Sequence, residues 1–397
     1  MMKTNIHIYN TRKTWLMLCL LLASLQVKAL DKIGNVYCIH NATELNEFGQ
    51  LVANGETAAN GMLMNDIDFS GWTYWEPIGG RGGSNPYSGH FDGGGHRIRN
   101  FNIDNDSRNW SAQGVFGTVT AGCVIANLVF DKSSSIKGKN YVGGVAGEVR
   151  GDAAGTVKFV NCGNEGSVTG NTTSGDKAGG ILGGSSSSVI QIEFKNCYNT
   201  GNVTGYSWCG AISGKIESST NATVTNCYNI GSVQETCGTS KHLVANCSTY
   251  NDCYFLSGTI NQGNATAVST ANDLIGKFGD DYEGLYPYVP TFDNGYYQIG
   301  NLRAMKWFRD MVNNYLSVNA RQTAAINLTG IDWIPIGTYS NNFTGYYDGG
   351  WHDIDGINHP LFGVSSNAHF TKIAIESGNI RPTVMGNGEV TTGSIVA

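Results

Sequence analysis

IQIEFKNCYNTGNV, residues 190–203, is the stretch whose reading decides the fold. Up to Lys195 it alternates: Ile190, Ile192 and Phe194 share one parity, and Gln191, Glu193 and Lys195 share the other. That is the period of a half-buried strand. Beyond Asn196 the apolar set changes parity, with Cys197 and Val203 in phase. A strand whose inward face switches has turned a corner. Asparagine suits a corner because it tolerates left-handed backbone angles.

The block recurs as NCGNEGSVTG (161–170), NCYNTGNVTG (196–205) and NCYNIGSV (226–233), and a worn copy, NCSTYNDCYF, starts at 246. A second unit recurs as YVGGVAG (141–147), KAGGILG (177–183) and WCGAISG (208–214). Successive Asn-Cys pairs lie 35, 30 and 20 residues apart. Short strands, a corner at a fixed place and glycine turns, repeated at this spacing, describe the stacked coils of a parallel β-helix, an all-β fold. Equivalent positions then lie one strand spacing apart, roughly 4.8 Å. Cys162, Cys197 and Cys227 are expected to form an inward ladder of small buried residues, their Cβ vectors side by side rather than facing. No C-x-x-C pair supports a metal. Cys209, Cys237, Cys247 and Cys253 fall outside this ladder, and one disulfide among them is compatible with export.

A larger duplication contains the array. YCIHNATELNEF (37–48) lines up with YQIGNLRAMKWF (297–308), each starting a helix behind an asparagine; Asn41 and Glu44 form a capping box. DIDFSG (66–71) answers AINLTG (325–330), and Trp75, Pro77, Ile78 and Gly79 answer Trp333, Pro335, Ile336 and Gly337. FDGGGHRI (91–98) answers YDGGWHDI (347–354), VFG at 115 answers LFG at 361, and YVGGVAG answers TTGSIVA (391–397). The expected organisation is a signal peptide over 1–29, a first unit with capping helix over 30–256, a linker over 257–295 and the start of a second, apparently truncated unit over 296–397. Within the linker a short helix is expected between Ser269 and Gly279, capped by Thr270 and Asp273.

Composition narrows the function classes. Lys3, Arg12 and Lys13 precede an apolar run from Trp15 to Leu25, and Val27-Lys28-Ala29 makes an acceptable cleavage site. The run is shorter than the roughly 18 residues a membrane span needs. Without residues 1–29 the chain has 21 basic against 31 acidic side chains, a net −10. That balance disfavours nucleic acid and anionic membranes. Nine cysteines would then remain, an odd number that rules out full pairing.

The double pattern resembles the GLUG-motif repeat proteins of bacterial surfaces. GGVAG, GGILG, the three NC-x-N-x-G-x-V blocks and the W-x-P-I-G…(F/Y)-D-G-G-x-H-x-I segment carry the likeness, over most of residues 37–256 and 297–397. The resemblance implies a right-handed parallel β-helix on an exported or surface protein. Related repeats also occur in IgA-cleaving metallopeptidases, as a non-catalytic part.

Candidate chemistry is sparse. Asp92 and His96 recur as Asp348 and His352 in matching frames, which favours a structural turn over a catalytic pair used twice. H-E-x-x-H and G-x-S-x-G are absent, and Gly79–Gly83 precedes no Gly-Lys-Ser/Thr. The acids Glu148, Asp152, Glu165, Asp176, Glu193 and Glu217 do not recur in phase, so no carboxylate stack is expected. No catalytic residue, metal or cofactor is assigned. Residues present in one unit only are the better candidates: Trp72 and Tyr74 have no counterpart in the shorter Ile331-Asp332 and are expected to touch a ligand. The expected function is an exported, non-catalytic surface adhesin or ligand-binding scaffold whose partner is a host or microbial surface glycan or protein. A carbohydrate-active β-helix enzyme and a passive stalk are the alternatives. Changing Trp72 and Tyr74 together to alanine should abolish capture on glycan or host-protein arrays; lost stability with capture intact would reduce both to packing.

Overall fold

The structure is a computed structural model that describes residues 30–82, 85–105, 111–171, 173, 177–379, 383–384 and 390–391. The expected signal peptide, Asp176 and most of the TTGSIVA copy lie outside the described residues.

Strand is the dominant regular structure among the described residues, with two α-helices, and nearly all of the pairing is parallel. Gly155–Val160, Gly163–Asn164, Ser167–Thr169 and then Ala178–Gly179 with Leu182–Ser185 belong to four different sheets. The next copy enters the first sheet again at Ile190–Lys195 and pairs in register, Val157 on Ile192 and Phe159 on Phe194. Those two phenylalanines stack at 5.4 Å and 11°. Repeated along the chain, this builds open ladders of nine, eight, five and seven strands. Ile103, Ile136, Val168, Val203 and Val233 fall in one column of the third sheet, each at most 2% exposed.

The corners are where the sequence placed them. Asn127, Asn161, Asn196 and Asn226 have φ of 55°, 53°, 54° and 52°. Their side chains form a chain of amides: Asn226 donates to Asn196 (3.3 Å), Asn196 to Asn161 (2.9 Å), Asn161 to Asn127 (2.8 Å) and Asn127 to Asp92 (2.9 Å). The fourth copy brings a correction: Asn251 pairs with Thr225, so the corner that follows Asn226 is Asp252 (φ 50°) and not the expected Asn246. Cys253 therefore belongs to the thiol ladder, correcting its expected place outside. Cys162, Cys197, Cys227 and Cys253 each donate to a carbonyl of the preceding copy, at 3.4, 3.3, 3.7 and 3.3 Å. All nine described cysteines are free, so the disulfide considered among Cys209, Cys237, Cys247 and Cys253 does not form. Burial holds the Cys162 and Cys227 thiols well above their ordinary value.

A second ladder runs inside the array. Asn164, Asn199 and Asn229 are fully buried, with Asn164 donating to Asn199 (2.6 Å) and Asn199 to Asn229 (2.7 Å). Gly144 and Gly180 sit beside this ladder at close backbone approaches: a Cβ there would lie 2.6 Å from Gly180 O and 2.3 Å from Ala211 O, with Asn164 Oδ1 and Asn199 Oδ1 next at 3.1 and 2.7 Å.

Helix α1 (Ala42–Ala53) starts at Asn41, whose side chain accepts the Glu44 N–H at 3.0 Å. Glu44 reaches back to the His40 N–H rather than that of Asn41, a box displaced by one residue. Helix α2 (Leu302–Asn314) repeats the start with Asn301 accepting from Ala304 at 2.9 Å. The duplication extends to packing: Trp75 Nε1 donates to Val115 O and Trp333 Nε1 to Leu361 O. A Cβ on Gly79 or Gly337, both at positive φ, would lie 2.2 or 2.1 Å from a carbonyl of the following copy. The linker helix is only a 3-10 turn, Ala271–Leu274, although Thr270 N–H does bond Asp273 at 2.8 Å.

The second unit lies along the flank of the first. Met311 of α2 packs with Tyr297 against Val124, Ala126 and Val160, outward residues of the first sheet. At the centre of this contact Tyr297 donates to both oxygens of Asp92 (2.7 and 2.9 Å), which is 2% exposed and also accepts from Gly94 N–H at 2.9 Å.

Asn196→Ala removes one amide from the ladder and forces a Cβ residue without side-chain compensation to hold left-handed angles. The expected destabilisation is about 2–4 kcal/mol in chemical denaturation, with Asn196→Gly recovering only the backbone part. Burial pushes the Asp92 carboxyl up, against the donors Asn127, Gly94 and Tyr297. A raised carboxyl contributes stability fully below its ordinary value and loses it as pH rises through the raised one. Tyr297→Phe should therefore destabilise by about 1.5–3 kcal/mol at neutral pH and by less below the ordinary carboxylate range, read from unfolding at both pH values.

Candidate functional site

The opening Asp-His pattern resolves into scaffolding geometry. Asp92 and Asp348 each accept the N–H two residues on, at 2.9 and 3.1 Å. Asp92 then ends the asparagine ladder, and Asp348 meets Lys372, which holds the equivalent corner at φ 52°. The ion-pair partner of His96 is Asp66, 3.4 Å from its Nδ1, and Asp92 acts on the ring only through its charge. Burial lowers the His96 pKa against the pull of Asp66, and its buried Nε2 has no partner.

Trp72 packs edge-on against Phe69 (5.5 Å) and Trp75 (6.2 Å) as part of the cap. Tyr74 is 40% exposed, its hydroxyl bonded to Glu76 at 2.6 Å and to Arg81 at 3.1 Å. Neither lines a described cavity.

The larger opening is a groove of about 570 Å³, within the roughly 300–1,000 Å³ of small-molecule sites. One wall is the outer face of the second sheet, where Arg97, Val129, Gly163 and Tyr198 hold the same position in successive copies and the Tyr198 side chain covers Gly163. The other is the linker returning along the array, with Glu283, Tyr286, Val289 and Phe292. Two contacts hold that wall. Tyr282 stacks on Phe278 at 4.0 Å and donates to Asn226 O, and Asp281 accepts the Asn226 amide at 2.7 Å. The linker, expected only as a connection, is thus part of the site.

The groove floor is a polar network. The Tyr198 ring lies over Gly163, where a Cβ would be 2.2 Å from it, and its hydroxyl donates to Glu165 at 3.0 Å. Arg97 forks both Glu165 oxygens (2.6 and 3.0 Å) and donates to Asp131 at 2.9 Å. These bonds, Glu165 first, raise the Arg97 pKa. Burial works against ionisation of Asp131, yet Ser133 and Arg97 together hold its carboxyl below the ordinary range. The expectation of no carboxylate stack is corrected here: Asp131 and Glu165 occupy successive copies. Their signal is the offset from the corner, four residues after Asn127 and four after Asn161. Tyr286 is 45% exposed and stands edge-on to Tyr198 at 5.1 Å.

A smaller cavity of about 210 Å³ separates the Asn161 and Asn196 corners from α2; Lys195, Lys306, Asp280 and Asp310 line it with opposed charges. No group of three or more His, Cys, Asp or Glu suited to a metal occurs among the described residues. No described helix is long and apolar enough to cross a membrane, which leaves strand-built spans open.

No protein-family model matches the chain. Over 135 residues, 32% of its length, it is 30% identical to halomucin of Haloquadratum walsbyi, and the match spans only 1% of halomucin. Among solved structures it is similar to a protein described as a putative immunoglobulin A1 protease from Bacteroides ovatus. That similarity has a TM-score of 0.47 and 21% identity, and covers 61% of this chain and 86% of the other.

Proposed function

We propose that the chain is an exported, non-catalytic repeat protein that presents a ligand-binding groove at a cell surface, as an adhesin or binding scaffold. The four-sheet array is read as a right-handed parallel β-helix of the GLUG-motif kind. The halomucin match is compatible with a surface setting. One observation carries the reading: Arg97 and Tyr198 on the groove floor are tied to Glu165 and Asp131 behind them, while Tyr286, Val289 and Phe292 form an aromatic and apolar stretch of the facing wall. Such a site is preorganised to hold a ligand rather than to exchange protons with it. Tyr74 offers a second exposed ring at the cap, and the ligand contact expected of Trp72 and Tyr74 stays part of the proposal.

A second reading, a carbohydrate-active enzyme, draws on the convergence of Asp131 and Glu165 on Arg97. A glycosidic acid needs a raised carboxyl, whereas Asp131 is held low. Screening the full chain on surface glycan and host-protein arrays beside a reducing-sugar assay separates the readings. Capture without product release is the expected result. Product release that disappears in Glu165→Gln would replace the binder with the enzyme, and no capture at all would leave a stalk.

A further inference from the structure

We infer that the groove between the second sheet and the returning linker takes an uncharged saccharide, stacked on Tyr286 and oriented by Arg97 and Tyr198, which Glu165 holds in place. The inference rests on the binding reading above and names its ligand class.

The exposed and the buried parts of the groove make different demands. Tyr286 presents an open ring, and Phe292 and Val289 continue that apolar wall. A pyranose is similarly two-sided, with an apolar C–H face that suits an aromatic ring and a rim of hydroxyls that both donate and accept. Beneath Tyr286, Arg97 and Tyr198 line the floor, held in fixed positions by their bonds to Glu165, which does not itself line the groove. His96 stands edge-on to the Phe292 ring at 5.9 Å with its Nε2 buried, so it packs against the aromatic wall and offers the ligand no acceptor.

Charge decides which saccharide. Arg97 and Glu283 are the arginine and glutamate among the described residues lining the groove, and Arg97 is already bonded to Glu165 and Asp131 behind it, which leaves a local excess of negative charge. A sialic acid or uronate would bring its carboxylate against that excess. A basic peptide would find the excess hard to use, because Asp131 and Glu165 side chains are each 9% exposed and already bonded to Arg97. Neutral hydroxyls and acetamido groups need no counter-ion, so they fit both the apolar wall and the closed network.

The test titrates the full chain with neutral oligosaccharides (cello-, malto- and N-acetylglucosamine oligomers), sialylated and uronate oligosaccharides, and a lysine-rich peptide. Capture on intact host or microbial surfaces is measured in parallel. Binding is expected for at least one neutral series, with little salt dependence and no acidic counterpart. Tyr286→Ala should weaken it about tenfold with an unchanged unfolding midpoint, and Tyr286→Phe should keep it, since stacking needs the ring alone. Glu283→Lys, at an exposed position, should admit acidic sugars. Binding confined to acidic sugars or to the peptide, or neutral binding indifferent to Tyr286→Ala, would overturn the inference. Surface capture that neutral sugars do not compete would also overturn it while leaving the adhesin reading intact; loss of capture altogether would remove both.

Discussion

The amide chain along the corners is the constraint on which the rest of the structure depends. Each corner asparagine does two things at once. Its backbone accepts left-handed angles that turn the strand, and its side chain joins the copy before it to the copy after it. Because each amide donates toward the preceding copy, the chain needs a terminal group that only accepts. Asp92 is that group: it pairs with Ala126, one residue before the Asn127 corner, and its carboxylate accepts from the Asn127 amide. The second unit solves the same problem by charge, with Lys372 at the corner above Asp348.

Both ends of this chain are tied to later parts of the protein. Tyr297 bonds Asp92 at one end, and Asp281 and Tyr282 bond Asn226 toward the other. The linker and second unit therefore dock against the same line of corners that organises the array. Docking by hydrogen bonds to buried carboxylate and amide groups is directional, so it sets position as well as adhesion. The groove follows from this arrangement: one wall belongs to the array, and the other exists only because the linker is held in place.

Inside the array polar groups are fully buried yet ordered. The Asn164–Asn199–Asn229 ladder satisfies donors and acceptors from copy to copy, and only Asn164 Oδ1, above the Phe130 level, lacks a partner. Glycines beside these side chains sit at close backbone approaches. Such a core is more specific in register than an aliphatic one, because a slip by one residue would strand several amides at once.

Sequence by itself determined the strand period, the corner positions, the inward thiols and valines, the two helix starts and the duplication. Each of these is a local pattern whose physical cause lies within a few residues: parity, a tolerated backbone angle, a cap. It did not reveal that Asn164, Asn199 and Asn229 point inward, since polarity alone reads as exposure. The thiol ladder's last member also escaped, because Asp252 replaces the asparagine that marked the others. Only the tertiary structure decided where the linker runs, which face the second unit covers, and that Arg97, Asp131, Glu165 and Tyr286 meet. Those residues come from separate copies and from a connection without periodicity. Their convergence depends on how many residues each copy spends between corners, a sum over loops that no local pattern encodes.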